Sequence, residues 1–409
     1  MLKEITMFEF DKFASENELF TYFQTSNYAI LKSEECYDYE YIGYFEQSKL
    51  VAASVILIKR LSVKFKYAYA PRGILMDYHN PLLIKKISDS LKKYLNKKNI
   101  IFLKIDPLIV TKEYEAKSKD LINVRHVNLD YILQNNGFKK LKDNLYFESQ
   151  LPRYRGVVDL TKYTNSKLNK NCRNKVKKSL TKGLTLEKVS IDKLDVLYNI
   201  LKRKYKYPQN FYNNLYKVFS DKKMIDLFLV KIDYENFMES AKRLYDSELT
   251  INGAYNNLLK LNNNERNLNK KIASDKRLVG YKNDIMEASR KYSDNELTDY
   301  VAAAIIMKTK NSVEIAFSAY NPFYKRLNVN YFLHYALINY YKSDAEQLIF
   351  NSLTGNFSKD SPYKGLNDFY FSFNPVIEEL IGEFDLIVNK KIYEKFLVTG
   401  KLHAELDKT

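Results

Sequence analysis

The sequence predicts an α/β (α+β) protein of two tandem domains built on one plan, with a helical arm inserted in the second. Three observations predict it. The order strand, strand, strand, helix, strand fills the first 150 residues and returns after residue 223. Inside the second copy, about 65 residues switch from strand alternation to heptad spacing. The chain has 409 residues, 45% of them hydrophobic, which suits two cores of ordinary size.

The elements follow in order. "YEYIGYFEQSKLVAASVILIKR" reads as two strands around a polar turn near Gln47-Ser48, and "KFKYAYAPRG" as a third. Residues 81–97, "PLLIKKISDSLKKYLNK", carry apolar positions at helical spacing and begin with Pro, which suits a first helical turn. "NIIFLKIDP" is a buried strand. In the second copy, "KMIDLFLVKI" (223–232) is a strand and "DYVAAAIIMKTKNSVEIAFSAYN" (299–321) a hairpin turning near Lys310-Asn311. "NVNYFLHYALINYYKS" (328–343) is a helix and "EQLIFNSLTG" (346–355) a strand. The predicted domains are 1–150 and 151–372, with 373–409 returning to complete the first.

This order resembles the acyltransferase fold of the acetyltransferase (GNAT-like) superfamily, present twice. That fold holds the diphosphate of coenzyme A on a Gly-rich turn before its central helix, where glycine lets phosphate approach the backbone. The corresponding turns here, "APRGILMDYHNP" and "YNPFYKRLNVN", lack paired glycines. The resemblance therefore implies a retained fold and a lost donor.

The inserted segment spans 234–298. Phe237, Ala241, Leu244, Ile251, Tyr255 and Leu258 follow a four-three spacing, with Glu248 in the one polar slot. "LNNNERN" breaks the pattern, and Leu268, Ile272, Val279 and Met286 resume it more weakly. The spacing predicts an antiparallel coiled-coil arm. Two ordinary helices packed on the domain are the alternative.

The net charge is +17, from 66 Lys and Arg against 49 Asp and Glu. Two accounts fit it: anionic partners, or the Lys-, Asn-, Ile- and Tyr-rich composition of an AT-rich genome. Cys36 and Cys172 are the only cysteines, too few for a disulfide framework or a Cys-rich zinc site. His79, His126, His334 and His403 are scattered without a ligand-like pair, so no metal site is expected. The N-terminus lacks the apolar core of a signal peptide, and no apolar stretch reaches 18 residues. A cytoplasmic protein is expected.

"SKLNKNCRNKVKKSLTKG" (166–183) carries seven Lys or Arg and no acid. Leu168, Cys172, Val176 and Leu180 form a narrow apolar stripe, and Gly183 is placed to cap the C-terminus. Such a helix either lies along a phosphate backbone or is a solvated face. Lys32 follows a short apolar run, read as a strand, and Asp106 ends a strand before Pro107. "YAPRG" adds Arg72 to the end of the neighbouring strand, so one sheet delivers a cation and a carboxylate to its strand ends.

Together these pieces resemble the Fem family, whose members add amino acids to the stem peptide of peptidoglycan precursors with aminoacyl-tRNA as donor. "YAPRGILMDY" is similar to its Ala-Pro-Arg-Gly-Pro segment, "FLKIDP" to its strand ending in Asp-Pro, and "NKNCRNKVKKSLTKGL" to its Arg-rich helix. "SLTGNFSKDSPYKGL" followed by "EELIGEFDLIVN" resembles its C-terminal signature, the most specific part. The resemblance implies an acceptor that is lipid II or UDP-MurNAc-pentapeptide, and no cofactor. It implies that Lys32 contacts the acceptor diphosphate and that Arg72, Phe211, Tyr212 and Tyr320 line the substrate site. Asp106 and Tyr370 are implied as catalytic, and Arg173, Lys177, Lys178 and Lys182 as tRNA contacts. It also implies work at or near the inner face of the plasma membrane, as a homodimer or beside a Fem paralogue. A catalytically degenerate homologue, or a transferase with another acyl donor, are the rival readings.

The implied chemistry needs little machinery. An ester donor is already activated. Neutralising a Lys-like amine of pKa about 10.4 at pH 7 costs roughly 4–5 kcal/mol. Positioning that amine against the ester returns about 7–11 kcal/mol. Two positions depart from the family pattern: its Phe-Lys is Phe369-Tyr370 here, and its Arg before a Tyr-Phe pair falls on Tyr207, with Lys204 and Lys206 nearby.

Overall fold

The computed structural model describes residues 1–146, 148–294 and 297–398. Residues 399–409 of the returning segment and 295–296 of the arm span lie outside them.

The first half of the chain runs β1 (Leu2–Glu4), α1 (Met7–Glu16), α2 (Ser26–Ser33), β2 (Asp38–Glu46) and β3 (Lys49–Arg60). Gln47 and Ser48 have φ of 45° and 68°, the double positive φ of a two-residue hairpin turn that matches strand twist. β4 (Lys66–Ala70), α3 (Pro81–Lys97) and β5 (Ile100–Ile105) follow. The Asn80 side chain accepts the Leu83 N–H at 3.0 Å and caps α3, with Pro81 at its first position. Leu83, Ile84, Ile87, Leu91 and Leu95 are the face that α3 buries in the first core. β4 and β5 run parallel, with Ala70 opposite Ile105. Next come β6 (Val110–Glu115), β7 (Leu121–Val124), α4 (Leu129–Asn135) and β8 (Phe138–Lys140).

The second half opens with β9 (Tyr154–Asp159), α5 (Lys170–Ser179), β10 (Leu184–Val189), α6 (Leu194–Leu201), α7 (Gln209–Ser220) and β11 (Ile225–Asp233). The hairpin of α8 (Tyr234–Leu261) and α9 (Glu265–Ser293) is inserted before β12 (Thr298–Lys308) and β13 (Ser312–Tyr320). α10 (Val329–Tyr341), β14 (Gln347–Leu353), α11 (Lys364–Phe371), β15 (Val376–Leu380), β16 (Phe384–Ile387) and α12 (Lys390–Val398) complete it. β13 and β14 are parallel, as β4 and β5 are. The predicted plan thus occurs twice.

The first sheet has the order β1-β2-β3-β4-β5-β16-β8 and the second β10-β11-β12-β13-β14-β9-β15-β6-β7. β6 and β7, from within residues 1–150, therefore lie in the second sheet. The returning segment is divided: β15 pairs with β6 and β9, and β16 inserts between β5 and β8. Gly382, at φ 89°, turns the chain between the two sheets.

The signature "EELIGEFDL" is this strap, and its acids hold it in place. Glu379 accepts from Arg153 Nη2 at 2.6 Å and Tyr114 Oη at 2.7 Å. Glu383 accepts from Ser149 Oγ at 2.6 Å and from buried Lys104 at 3.2 Å. Asp385 accepts from Tyr393 Oη at 2.7 Å. The most specific part of the family pattern is thus a charged seam between sheets, built of buried pairs.

α8 and α9 are antiparallel, as the pairs Asn252–Ser274 at 3.0 Å and Glu248–Arg277 at 2.8 Å require. Their seam departs from the predicted one. Phe237, Ala241 and Glu248 are buried, but Ile251 and Leu258 are exposed, and Asn252 is buried beside Ile251. Leu268, Ile272, Val279 and Met286 are all exposed, while Ser274, Asp284 and Ala288 are buried. The reason is polar matching. Glu248 takes both Ser274 and Arg277, so hydrogen bonds set the rotation of α9 and its weak apolar repeat faces outward.

Candidate functional site

The Pro-Arg-Gly and Asp-Pro ends of β4 and β5 emerge side by side because those strands are parallel neighbours. Arg72 adopts a left-handed φ of 52°. Asp106 Oδ1 accepts the Arg72 backbone N–H at 2.7 Å, and Oδ2 accepts Tyr69 Oη at 3.1 Å and lies 3.3 Å from Arg72 Nη1. Arg72 Nη2 donates to Pro152 O at 2.6 Å, in the segment joining the sheets. Arg72 and Asp106 are 5% and 2% exposed, so this is a buried ion pair. Burial raises the Asp106 pKa to about 6 against the opposing pull of Arg72. Gln24 holds the same turn, donating to Pro71 O at 2.7 Å and accepting from Ser54 Oγ and Val55 N at 3.1 Å. A Cβ on Gly73 would stand 2.7 Å from Gln24 Nε2 and from Ser54 Oγ.

Two cavities border this group, and a third lies further along β13. One of about 640 Å³ lies between the sheets and is lined by Arg72, Arg155, Glu314 and Asn351. A second, of about 220 Å³, is lined by Lys32, Tyr37, Tyr69, Tyr207, Phe211 and Ser352. A third, of about 530 Å³, is lined by Lys175, Arg203, Lys204, Tyr320, His334 and Tyr370. Asp106 lines none of them; it stands behind Arg72 and Tyr69, which do.

The last two cavities border consecutive stretches of β13, next to the point where it leaves β14. The parallel register ends at Ile315 opposite Phe350. Beyond it β13 stays paired with β12, and β14 with β9, so the two strands part. Ala316, Phe317, Asn351 and Ser352 border the second cavity, and Ser318 to Tyr320 the third. Tyr370, lining the third, stands beside Ser352, lining the second. Burial pushes the Tyr370 phenol pKa up, so at neutral pH it is a donor and not a charge.

The third cavity is cationic and aromatic. Lys175 donates to Tyr331 Oη at 2.9 Å, and Lys204 donates to Ser318 O at 3.1 Å. His334 is 1% exposed; Nδ1 sits 2.9 Å from Asn330 O, and Nε2 has no partner among the described residues. Burial lowers its pKa to about 4, so the imidazole is neutral and Nε2 is an acceptor when Nδ1 carries the proton.

The structure redistributes the remaining candidates. Lys32 lies in α2, not after a strand, because Thr25 caps a helix there by accepting Tyr28 N at 3.1 Å. Its ammonium is 2.7 Å from Glu35 and faces the rings of Tyr28 and Tyr37. Phe211 stacks on Tyr207 at 4.3 Å. Tyr212 is buried against Phe317 and lines no cavity of the three. Arg173 donates to Ser166 O at 2.8 Å, and Lys177 and Lys178 are exposed. Lys182 is withdrawn from the basic face: it pairs with buried Asp284 of α9, which also binds Arg326 at 2.7 Å. Leu180 is exposed and α5 ends at Ser179, so the apolar stripe stops at Val176. Gly183, at φ 63°, lies beyond the helix, where a Cβ would stand 2.4 Å from Asp233 O at the root of the arm.

The FemAB family profile matches residues 5–399. The chain belongs to the FemAB family. Within it, the chain is 24% identical to a protein named aminoacyltransferase FemA from Staphylococcus aureus (strain N315), over 97% of this chain and 98% of the relative. A FemA from Staphylococcus epidermidis is also 24% identical, over 87% of this chain and 88% of the relative. The crystal structure of FemX superposes with a TM-score of 0.73 at 18% identity, covering 97% of this chain and 99% of that one. That likeness shows a shared fold along nearly the whole chain. Sequence reasoning missed Gln24, Ser352 and His334. Gln24 and Ser352 carry no local motif, and His334 reads as one more residue on an amphipathic helix.

Proposed function

We propose that the chain is a tRNA-dependent aminoacyltransferase that adds an amino acid to the stem peptide of a peptidoglycan precursor, lipid II or UDP-MurNAc-pentapeptide. The observation that carries this reading is the pair of unlike cavities that border consecutive stretches of β13 where it parts from β14. The cavity with Lys32, Tyr207 and Phe211 suits an acceptor with a diphosphate and a sugar face. The cavity with Lys175, Arg203, Tyr320 and Tyr331 suits the 3′ end of an RNA, where cations follow phosphate and aromatic rings stack on bases. The family membership and the names of its relatives point the same way. Amine and ester then meet at this parting, beside Tyr370 and Ser352. The reaction runs in the cytoplasm, against the inner membrane face when the acceptor is lipid-linked. Among the described residues no helix is long and apolar enough to cross a membrane.

The test is transfer from total charged tRNA to UDP-MurNAc-pentapeptide or lipid II, read by mass spectrometry. The product gains the mass of one amino-acid residue, and RNase pretreatment abolishes it. If no charged tRNA yields such a product with either acceptor, the proposal is wrong. Lys32→Ala weakens precursor binding by about 1–3 kcal/mol by calorimetry, the usual loss for a charge-assisted contact, and leaves the thermal midpoint nearly unchanged. A precursor affinity equal to wild type takes Lys32 out of the site.

The basic face of α5 has its own readout. Replacing Arg173, Lys177 and Lys178 with Gln weakens tRNA binding and flattens its salt dependence, by about 0.7–0.9 in the log–log slope for each phosphate no longer neutralised. Lys182→Gln changes that slope little, because the Lys182 ammonium is already paired with Asp284. An unaltered slope in the triple variant makes the face a solvated surface.

A further inference from the structure

Transfer from an ester develops negative charge on the carbonyl oxygen, and Tyr370 supplies only a neutral phenol. A cation from another segment lines the same cavity. α6 ends at Leu201, and the loop after it carries Lys204 back over β13. Tyr205 fixes this loop: its Oη accepts Ser318 N–H at 3.2 Å, and its ring packs on Phe317 at 5.1 Å. Lys204 Nζ donates to Ser318 O at 3.1 Å, three residues past the last paired position of β13 and β14. Its charge acts on both Tyr370 and His334, which line the same cavity. Among the described residues no carboxylate pairs with it. Of the cations there, Lys175 is engaged with Tyr331; Lys204, Arg203 and Lys325 are all exposed residues, and of these three Lys204 has its ammonium fixed on the β13 backbone.

We propose that Lys204 is a catalytic residue whose ammonium, with the Tyr370 hydroxyl, stabilises the oxyanion formed when the acceptor amine attacks the aminoacyl ester. The inference rests on the donor assignment proposed above. The amine nitrogen bonds to the ester carbon, and the carbonyl pair moves onto oxygen. Lys204 and Tyr370 donate hydrogen bonds to that oxygen. The pair returns, the carbon–oxygen bond to the ribose breaks, and the proton lost by the amine ends on the ribose oxygen. The products are an amide and a free 3′ end, with no other reactant needed. The ammonium is held by a main-chain carbonyl, so it is positioned before charge develops.

The test is single-turnover transfer with Lys204→Met, beside separate binding of uncharged tRNA and of UDP-MurNAc-pentapeptide. The expected result is a loss of about 10²–10³-fold in rate, as for removal of an oxyanion donor, with both affinities within twofold of wild type. Lys204→Arg keeps the charge and recovers part of the rate. A Lys204→Met enzyme at wild-type rate overturns the inference. So does a loss matched by an equal loss of tRNA affinity, which makes Lys204 a phosphate contact. If Lys204→Met does not fold, Lys204→Gln is read by the same criteria. A wild type that transfers nothing from any charged tRNA overturns the donor assignment itself; an active wild type with an unaffected variant overturns only the role of Lys204.

Discussion

Asp106→Ala lowers folding stability by about 3–5 kcal/mol at pH 8, because it leaves Arg72 buried without its counter-charge. Urea denaturation measures it. The loss is larger than expected for a strand-end carboxylate that only contacts substrate, since such a group is exposed and free in the resting enzyme. Arg72→Met with Asp106→Leu recovers much of the stability, because a well-packed apolar pair replaces a buried ionic one at little net cost. It does not recover transfer, because Arg72 borders the cavity between the sheets. The pH dependence has a definite sign. The folded pKa of about 6 lies above the ordinary 3.8, so this carboxyl favours the native state most below about pH 4. That contribution disappears as pH rises through about 6. Asp106→Asn does not titrate, so its stability gap to wild type narrows over the same window. A wild-type urea midpoint for Asp106→Ala at pH 8 sinks this account.

Tyr370→Lys lowers turnover by about 10²–10³-fold, the size of a lost oxyanion donor. From sequence alone the opposite is expected, since lysine restores the family pattern. The structure reverses the sign. Tyr370 is 5% exposed and feels the charge of Lys204, so a second ammonium there is buried beside a like charge. Lys204→Met combined with Tyr370→Lys removes the repulsion and restores part of the rate. Steady-state kcat in the transfer assay decides it. A single Tyr370→Lys variant at or above wild-type activity shows that the cavity tolerates two cations, and that Lys204 does not stand where the new one falls.

These two outcomes mark where the sequence is legible. Helix α3 can be read almost to the residue, because Pro81, Asn80 and the apolar spacing agree. The β2–β3 hairpin can be read because Gln47-Ser48 interrupts two strong strands. The segment around Lys32 misleads because a four-residue apolar run fits strand and helix equally, and only the Thr25 cap decides. The arm's seam misleads because periodicity weighs apolar residues, whereas Glu248, Asn252, Ser274 and Arg277 set the register. Lys182 belongs with Asp284, 102 positions away, and no local pattern announces such a pair. The site is hardest for the same reason: Lys204, Ser318, Ser352 and Tyr370 converge from four segments.

The insertion of β16 between β5 and β8 also governs how the protein is born. β8 ends at Lys140 and β16 begins at Phe384, so 243 residues lie between one neighbour and the other. At roughly 5–20 residues per second, a ribosome takes about 12–50 s to bridge them. Through that interval the first sheet carries an unpaired edge along β5, and Lys104 on it lacks both Glu383 and Asp385. The second sheet needs β15, only a few residues earlier, to join β9 to β6. Neither half is therefore a finished unit that the other is added to. The nascent chain stays open-edged until β15 and β16 emerge, and both sheets close almost together.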